Sequence, residues 1–459
     1  MEGPVSWETV RPFRISIACV SLLSSACQTQ PDAGNPPSSP DAGPSALALD
    51  LFGVIGHEFR FDVSPEQAAQ MEQAGLEGGG EDQYGIAGGT YADDLTVTDR
   101  ATGHAGSFGR VQLRLVGESS YRPWSRIPNL RVDMDEFEPG QTIDGVENLR
   151  FNNGQVGGIY REAIALRVWA ALGYQVPRAS HVWVRAPEQW GAAVRVPYTL
   201  VEVYKADWCD RAMPGGCLNM WESVGELDTL PGQCQLDSCD EERLEELIIA
   251  LGETGYGDGF ADALADYIDW DAFRSFQCLS WITATGDDYL HNNNNLVVAE
   301  RGDGKFQLLP YSIDISAGQE WYPEVELVGH SQLAIGCQTD PSCWAALLER
   351  CDQLLDAYDE ADVVAAIVEP VITAVARAGM NRDGDLQRAD DLRDWYGGRA
   401  AALRGNSVWE ATPCLGDEEC ADRDDGKTVC NGTCVEPSCW DVGCPDGYWC
   451  DDNGVCQPF

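Results

Sequence analysis

Gly286-Asp287-Asp288-Tyr289-Leu290-His291-Asn292-Asn293-Asn294-Asn295 is the stretch on which the reading of this fold turns. Asp287 and Asn292 set a carboxylate and a carboxamide five positions apart. Leu296-Val297-Val298 and Phe306-Gln307-Leu308-Leu309 follow as the two apolar strands of a hairpin, after which the chain reaches Ile313-Asp314. Gly, Asp and Asn also crowd ordinary turns, and four consecutive asparagines can simply cap and solvate a loop. The chemical reading of the same spacing is more specific. A carboxylate that orients a hydroxyl, with a carboxamide and a second acid holding Mg²⁺, is the catalytic-loop arrangement of phosphoryl transfer.

The flanking pattern supplies a scaffold for such a loop. Strand-like alternation marks His57 to Val63 and Arg110 to Leu115. A helix is expected from Gly158 to Leu172, with Ile159, Ala163, Leu166 and Ala170 on one stripe and Gly173 as its stop. Strands follow at His181 to Arg185 and Val196 to Tyr204, and then an acidic insertion that carries cysteines. Beyond it the periodicity turns helical, over 240–251, 270–284, 343–357, 360–378 and 387–403. The span Val363 to Val375 is apolar but broken by Glu369-Pro370, so it reads as a kinked core helix rather than a membrane span. Strands first and helices later, with one helix among the strands, is an α+β layout in two lobes.

Composition sets the outer bounds. The 459 residues, 44% hydrophobic, can bury one large core or two modest ones. A formal charge of −45 repels phosphate backbones and argues against nucleic-acid binding. Eighteen cysteines with only five histidines favour disulfides over metal cages, and hence export. The amino terminus agrees. Arg11 and Arg14 precede the apolar run Ile15 to Leu23 and the small residues Ser24-Ser25-Ala26, so residues 1–26 read as a signal peptide. Cys27 then resembles a lipobox cysteine, although Ser24 stands where leucine is preferred and plain secretion is the alternative. Without Cys19 and Cys27, 16 cysteines remain, an even number able to pair completely. Residues 27–46 are a Pro/Gly/Ser/Asp-rich tether, 47–409 the folded body, and 410–459 a cysteine-rich tail. The tail divides into two four-cysteine units, Cys414/Cys420/Cys430/Cys434 and Cys439/Cys444/Cys450/Cys456, stapled rather than cored.

Taken in order, several segments resemble the spore-coat protein H (CotH) kinase family, an atypical secreted kinase fold. Val111-Gln-Leu-Arg-Leu-Val-Gly-Glu-Ser-Ser120 looks like the family's V-x-L-R-x-K-G-x-S-S turn. Asn129-Leu-Arg-Val-Asp-Met-Asp-Glu-Phe137, Glu147-Asn-Leu-Arg-Phe-Asn-Asn153 and Tyr160-Arg-Glu162 continue the match, and Tyr198-Thr-Leu-Val-Glu202 resembles its G-x-Y-x-x-x-E strand. Asp287 to Asn295 and Pro310-Tyr-Ser-Ile-Asp314 fit its D-x-x-x-H-N and P-W-D-x-D signatures. The likeness covers about residues 50 to 405.

The resemblance implies ATP with Mg²⁺ or Mn²⁺ and assigns roles to particular residues. Asp287 becomes the catalytic base or orienting group, with Asn292 and Asp314 as metal ligands and His291 as a brace for the loop. Glu162 pairs with a cation over the phosphates, a place given to Arg131. Arg114 and Gly117 approach the phosphates, and Glu202 faces the nucleoside. Asp288 is expected to point away and to tolerate substitution. Arg131, Val116 and Ser312 depart from the family's lysines and acid. Two functions follow: an exported kinase acting on Ser/Thr of surface or coat proteins, or a catalytically silent scaffold of the same fold. A calcium loop at Asn381-Arg-Asp383-Gly-Asp385 is set aside as an acidic helix entry, because Leu386 and Leu392 replace the required glycine and glutamate.

Overall fold

The computed structural model describes residues 51–53, 57–78, 90–116, 122–154, 158–223, 227, 233–236, 238–317, 329–382 and 384–406, and four short strands of the tail. The signal peptide, Cys27, the tether, Gly117 to Ser120, Asp383 and the side chain of Asn292 lie outside the described residues.

The amino-terminal lobe is built on a nine-stranded sheet in the order β2-β5-β6-β7-β9-β8-β1-β3-β4. Its strands are β1 (His57–Asp62), β2 (Thr90–Ala92), β3 (Asp94–Asp99), β4 (Ala105–Phe108), β5 (Val111–Val116), β6 (Asn129–Asp133), β7 (Asn148–Asn152), β8 (Ala179–Arg185) and β9 (Val196–Glu202). Helices α1 (Pro65–Gly78), α2 (Arg161–Ala171) and α3 (Pro187–Trp190) are interleaved with them. Pairing is antiparallel throughout except between β1 and β8.

Register decides what each face carries, because residues opposite one another share a face and alternate residues do not. Leu113, Val132 and Leu149 form one row, and Leu115, Leu130 and Phe151 another. Both rows enter a core with Phe59, Phe61 and Tyr198. The row between them, on the other face, is Arg114, Arg131 and Arg150. Three guanidinium groups thus stand side by side on the face that looks away from this core.

The second lobe contains α4 (Ala206–Ala212), β10 (Cys217–Ser223), β11 (Gln233–Cys234), α5 (Glu242–Glu253), α6 (Phe260–Ala263), α7 (Trp270–Thr283), α8 (Tyr289–Asn292), β12 (Leu296–Arg301), β13 (Phe306–Pro310), α9 (Gln332–Thr339), α10 (Pro341–Glu360), α11 (Glu369–Arg377) and α12 (Asp385–Arg404). Strands β11-β10-β12-β13 form its own sheet. Its core is separate and holds Trp208, Trp221, Phe276, Trp281, Leu347 and Tyr396. Two cores make two lobes, as the α+β reading expects. Helix α2 belongs to the second core, not the first: Ile159, Tyr160, Ala163, Ile164, Leu166 and Trp169 are all in it.

Local chemistry explains the boundaries. Gly173 follows α2 at φ +86°, a left-handed stop that costs a glycine nothing. The kink expected at Pro370 takes the form of a π-helical turn over Val364–Val368, after which the proline opens α11. Proline has no N–H to give the preceding turn, so the hydrogen-bond ladder is reset there. Disulfides join Cys209 to Cys217, Cys234 to Cys239 and Cys337 to Cys343. Complete pairing is not what this structure carries, since Cys278 and Cys351 are buried thiols. In the tail, each four-cysteine unit holds one small hairpin, Val429–Cys430 with Cys434–Val435 and Tyr448–Cys450 with Cys456–Pro458.

Candidate active site

Arg150 of the arginine row and the segment just after β13 line a small cleft of about 20 Å³, together with Glu162, Val201, Glu202, Tyr204, Tyr311 and Ser312 among others. On the sheet side, Arg150 and Asn152 are two residues apart on β7 and therefore share the cleft face. Asn152 links the two acids: its Nδ2 donates to Glu162 Oε2 at 3.1 Å and to Asp314 Oδ2 at 3.4 Å. Arg150 Nη2 donates to Ser312 Oγ at 3.3 Å, and its guanidinium lies 5.1 Å from the centre of the Tyr311 ring.

Charge in this pocket is arranged rather than neutralised. Burial and then the Asp314 carboxylate push Glu162 up to about 7, against the pull of Arg150 and Asn152. Asp314 is raised as well, chiefly by burial, with Asp287 adding to it while Arg150 and Asn152 oppose. Asp314 and Glu162 are thus an oxygen-donor pair of the kind hard cations take, while among the described residues no group of three or more His, Cys, Asp or Glu side chains is placed to hold a metal ion.

The loop is shaped by capping. Asp288 is the N-cap of α8: its Oδ1 accepts from the Leu290 and His291 amides at 3.0 and 3.1 Å and from His291 Nδ1 at 2.6 Å, and Ser280 Oγ donates to its Oδ2. It is 2% exposed and fully engaged, so the expectation that Asp288 tolerates substitution is overturned. Asp287, one residue earlier, is half-buried. Its Oδ1 accepts from Asn294 Nδ2 at 2.9 Å, and its carbonyl accepts from Asn295 Nδ2 at 2.7 Å. Asn293 and Asn295 take φ of +57° and +51°, a region asparagine tolerates better than most residues. The asparagine run therefore shapes the loop and also orients Asp287.

Three of the expected positions stand elsewhere than anticipated. The cation acting on Glu162 is Arg150, and Arg131 stands one strand further out, directly opposite it. Arg114 lies beyond Arg131 on the same face, its Nε donating to Gln112 Oε1 at 2.7 Å. Glu202 lines the cleft, with its carboxylate already engaged by arginines. It is held by Arg178, through contacts of 3.1 to 3.3 Å, and by Arg211, in a buried ion cluster.

Arg150 and Asn152 were visible in the sequence as Arg-x-Asn in a strand just before the helix bearing Glu162. The signal was the position, on the last strand before that helix.

Among known proteins, no curated sequence matches the chain. A crystal structure of the Helicobacter pylori proinflammatory kinase CtkA is similar at 11% identity and a TM-score of 0.26, covering 57% of this chain and 91% of that one. The family model described as CotH kinase protein matches residues 113–359, more than half of the chain and the span that holds Arg150, Glu162, Asp287 and Asp314, and the chain therefore belongs to the CotH kinase family.

Proposed function

We propose that this chain is an exported protein kinase that transfers the γ-phosphoryl group of ATP to Ser or Thr hydroxyls of surface or coat proteins. One observation carries the reading: Asn152 joins Glu162 and Asp314 in a buried cluster beside Arg150, and Asp287 is near enough to raise Asp314. Asp287, steadied by Asn294, accepts the proton of the incoming hydroxyl and aims its oxygen. Arg150 meets the phosphate oxygens, with Arg131 and Arg114 extending the positive row outward. Asp314 would hold Mg²⁺ or Mn²⁺, which neutralises charge on the phosphates when bound. The signal-like leader and Cys27 support a lipid-anchored protein outside the cytosol, where such a kinase would meet exported acceptors.

The test is radiolabelled phosphate incorporation into the protein itself and into a Ser-rich acceptor, alongside calorimetric nucleotide titration. Asp287→Asn should keep nucleotide binding and lose transfer by about 10²- to 10⁴-fold. Asp314→Asn should weaken both. Equal transfer by wild type and Asp287→Asn would refute the assignment of the loop. Absence of transfer and of nucleotide binding with either metal would support the silent scaffold instead.

A further inference from the structure

The turn Asn381-Arg382-Asp383-Gly384-Asp385 lies between α11 and α12, and its described residues reach into the other lobe. Arg382 Nη1 donates to the Asn153 carbonyl at 2.5 Å, and its Nη2 donates to the Pro197 carbonyl. Those carbonyls sit just past the end of β7 and on the second residue of β9. Asn381 Oδ1 accepts from Tyr160 Oη, on the residue that precedes α2. Asp385, 1% exposed, holds the turn in shape: its Oδ2 accepts from the Arg382 amide at 2.7 Å, and its Oδ1 pairs with Arg388 at 3.1 Å.

Both anchor points adjoin the catalytic cluster. Asn153 follows Asn152, which bridges Glu162 and Asp314, and Tyr160 lies two residues before Glu162. From the same helix, Arg161 Nη1 donates to the Ser316 and Ala317 carbonyls at 2.5 and 2.6 Å, just beyond Asp314. Helix α2 is thus held from the helical lobe at its amino-terminal end. Glu162 is buried and shares the Asn152 amide with Asp314, so the placement of α2 sets where these two acids stand.

We propose that Asn381, Arg382 and Asp385 form an interlobe latch that positions α2, so that Arg382 and Asn381 are positioning residues for phosphoryl transfer. The inference rests on the kinase reading for its consequence in catalysis, but the latch itself is open to a test that needs no activity. Hydrogen–deuterium exchange of the full-length oxidised protein is compared for wild type, Arg382→Ala, Arg382→Lys, Tyr160→Phe and Arg404→Ala. Arg404 pairs with Asp356 and Asp359 on the exposed side of α12 and serves as the control. Arg382→Ala should speed exchange in the peptide spanning 158–172 while α7 and β12 stay protected. Tyr160→Phe, which deletes one hydroxyl, should do so to a lesser degree, and Arg382→Lys should recover part of the protection.

In phosphate transfer, Arg382→Ala should lower kcat by about 10- to 100-fold while the KM for ATP stays within roughly threefold, the pattern of a misplaced catalytic group rather than a lost binding contact. Exchange in 158–172 unchanged by both Arg382→Ala and Tyr160→Phe would overturn the latch. So would a rise spread evenly over the whole chain. If the wild type transfers no phosphate but α2 alone loosens in these variants, the latch stands and the kinase reading falls.

Discussion

At the scale of single residues, the neighbours Asp287 and Asp288 divide between chemistry and architecture. Asp288 is consumed by two amides, a histidine ring and a serine hydroxyl, and its burial makes each of those bonds costly to lose. Asp288→Ala should therefore destabilise the protein by about 2 kcal/mol, the loss of a helix cap together with a buried network, and lower the melting temperature. A melting curve for Asp288→Ala that overlays the wild type would show that the loop does not need this cap. The acids of the site were legible in the sequence because their spacing is fixed by the loop and the hairpin beyond it. Asp288 was misread because an aspartate three residues before His291 caps a helix of only one turn, too short to announce itself by periodicity. Arg131 and Arg150 are arginines directly opposite one another on neighbouring strands, and which of the two stands by Glu162 is set by the sheet order rather than by local sequence. Only three of its 30 basic residues are lysines, Lys205, Lys305 and Lys427, so arginine at a lysine position follows the usage of the whole chain.

Elements show a similar division. The α2 stripe, its Gly173 stop and the β12–β13 hairpin could be read from period and punctuation, since all are set by neighbours in sequence. The order of nine strands could not, because the parallel join of β8 to β1 couples segments more than 100 residues apart. Which cysteines meet is also a long-range property. Three body disulfides close within eight residues or fewer, yet Cys278 on α7 and Cys351 on α10 come together only through the packing of those helices. Burial, and then the Cys278 thiol within hydrogen-bonding reach, push the Cys351 thiol well above its ordinary value. An oxidising compartment that acts while the chain is still folding, before these helices close over the pair, should convert it to a fourth body disulfide. Non-reducing peptide mapping of protein refolded with reduced and oxidised glutathione is expected to find Cys278 cross-linked to Cys351. The loop so closed is long, and the bridge would add about 4 kcal/mol in the chain-entropy view. Recovery of both as alkylated thiols from the oxidised protein would contradict this.

For the molecule as a whole, the two cores meet at one buried histidine whose titration can be followed in stability. His181, on β8 and 1% exposed, has its Nε2 2.5 Å from the Ile159 carbonyl, which also accepts from Thr199 Oγ1 at 2.9 Å. Ile159 belongs to the helical core and leads into α2, so this contact ties the upper sheet to the helix that carries Glu162. Burial drives the imidazole down to about 4, and the positive charge of Arg167 acts in the same direction. A folded-state value below the unfolded one of about 6.5 means that the unfolded chain binds the proton more tightly. The stability contributed by neutral His181 is therefore complete above pH 6.5 and is lost as the pH falls from there towards 4. The full difference is about 3 kcal/mol. With a formal charge of −45, the chain has an opposing trend, because protonation of its acids over a lower range relieves self-repulsion in the compact state. His181→Gln removes the titration and retains a donor for the Ile159 carbonyl, so the difference between the two proteins cancels the common acidic term. Urea denaturation of both at intervals between pH 7 and 4, in salt high enough to screen the surface, should show the wild type losing ground to His181→Gln by close to one proton's worth of slope. Parallel curves across that range would mean that His181 is charged in the folded protein, and that the joint between β8 and α2 is wetter than its burial implies.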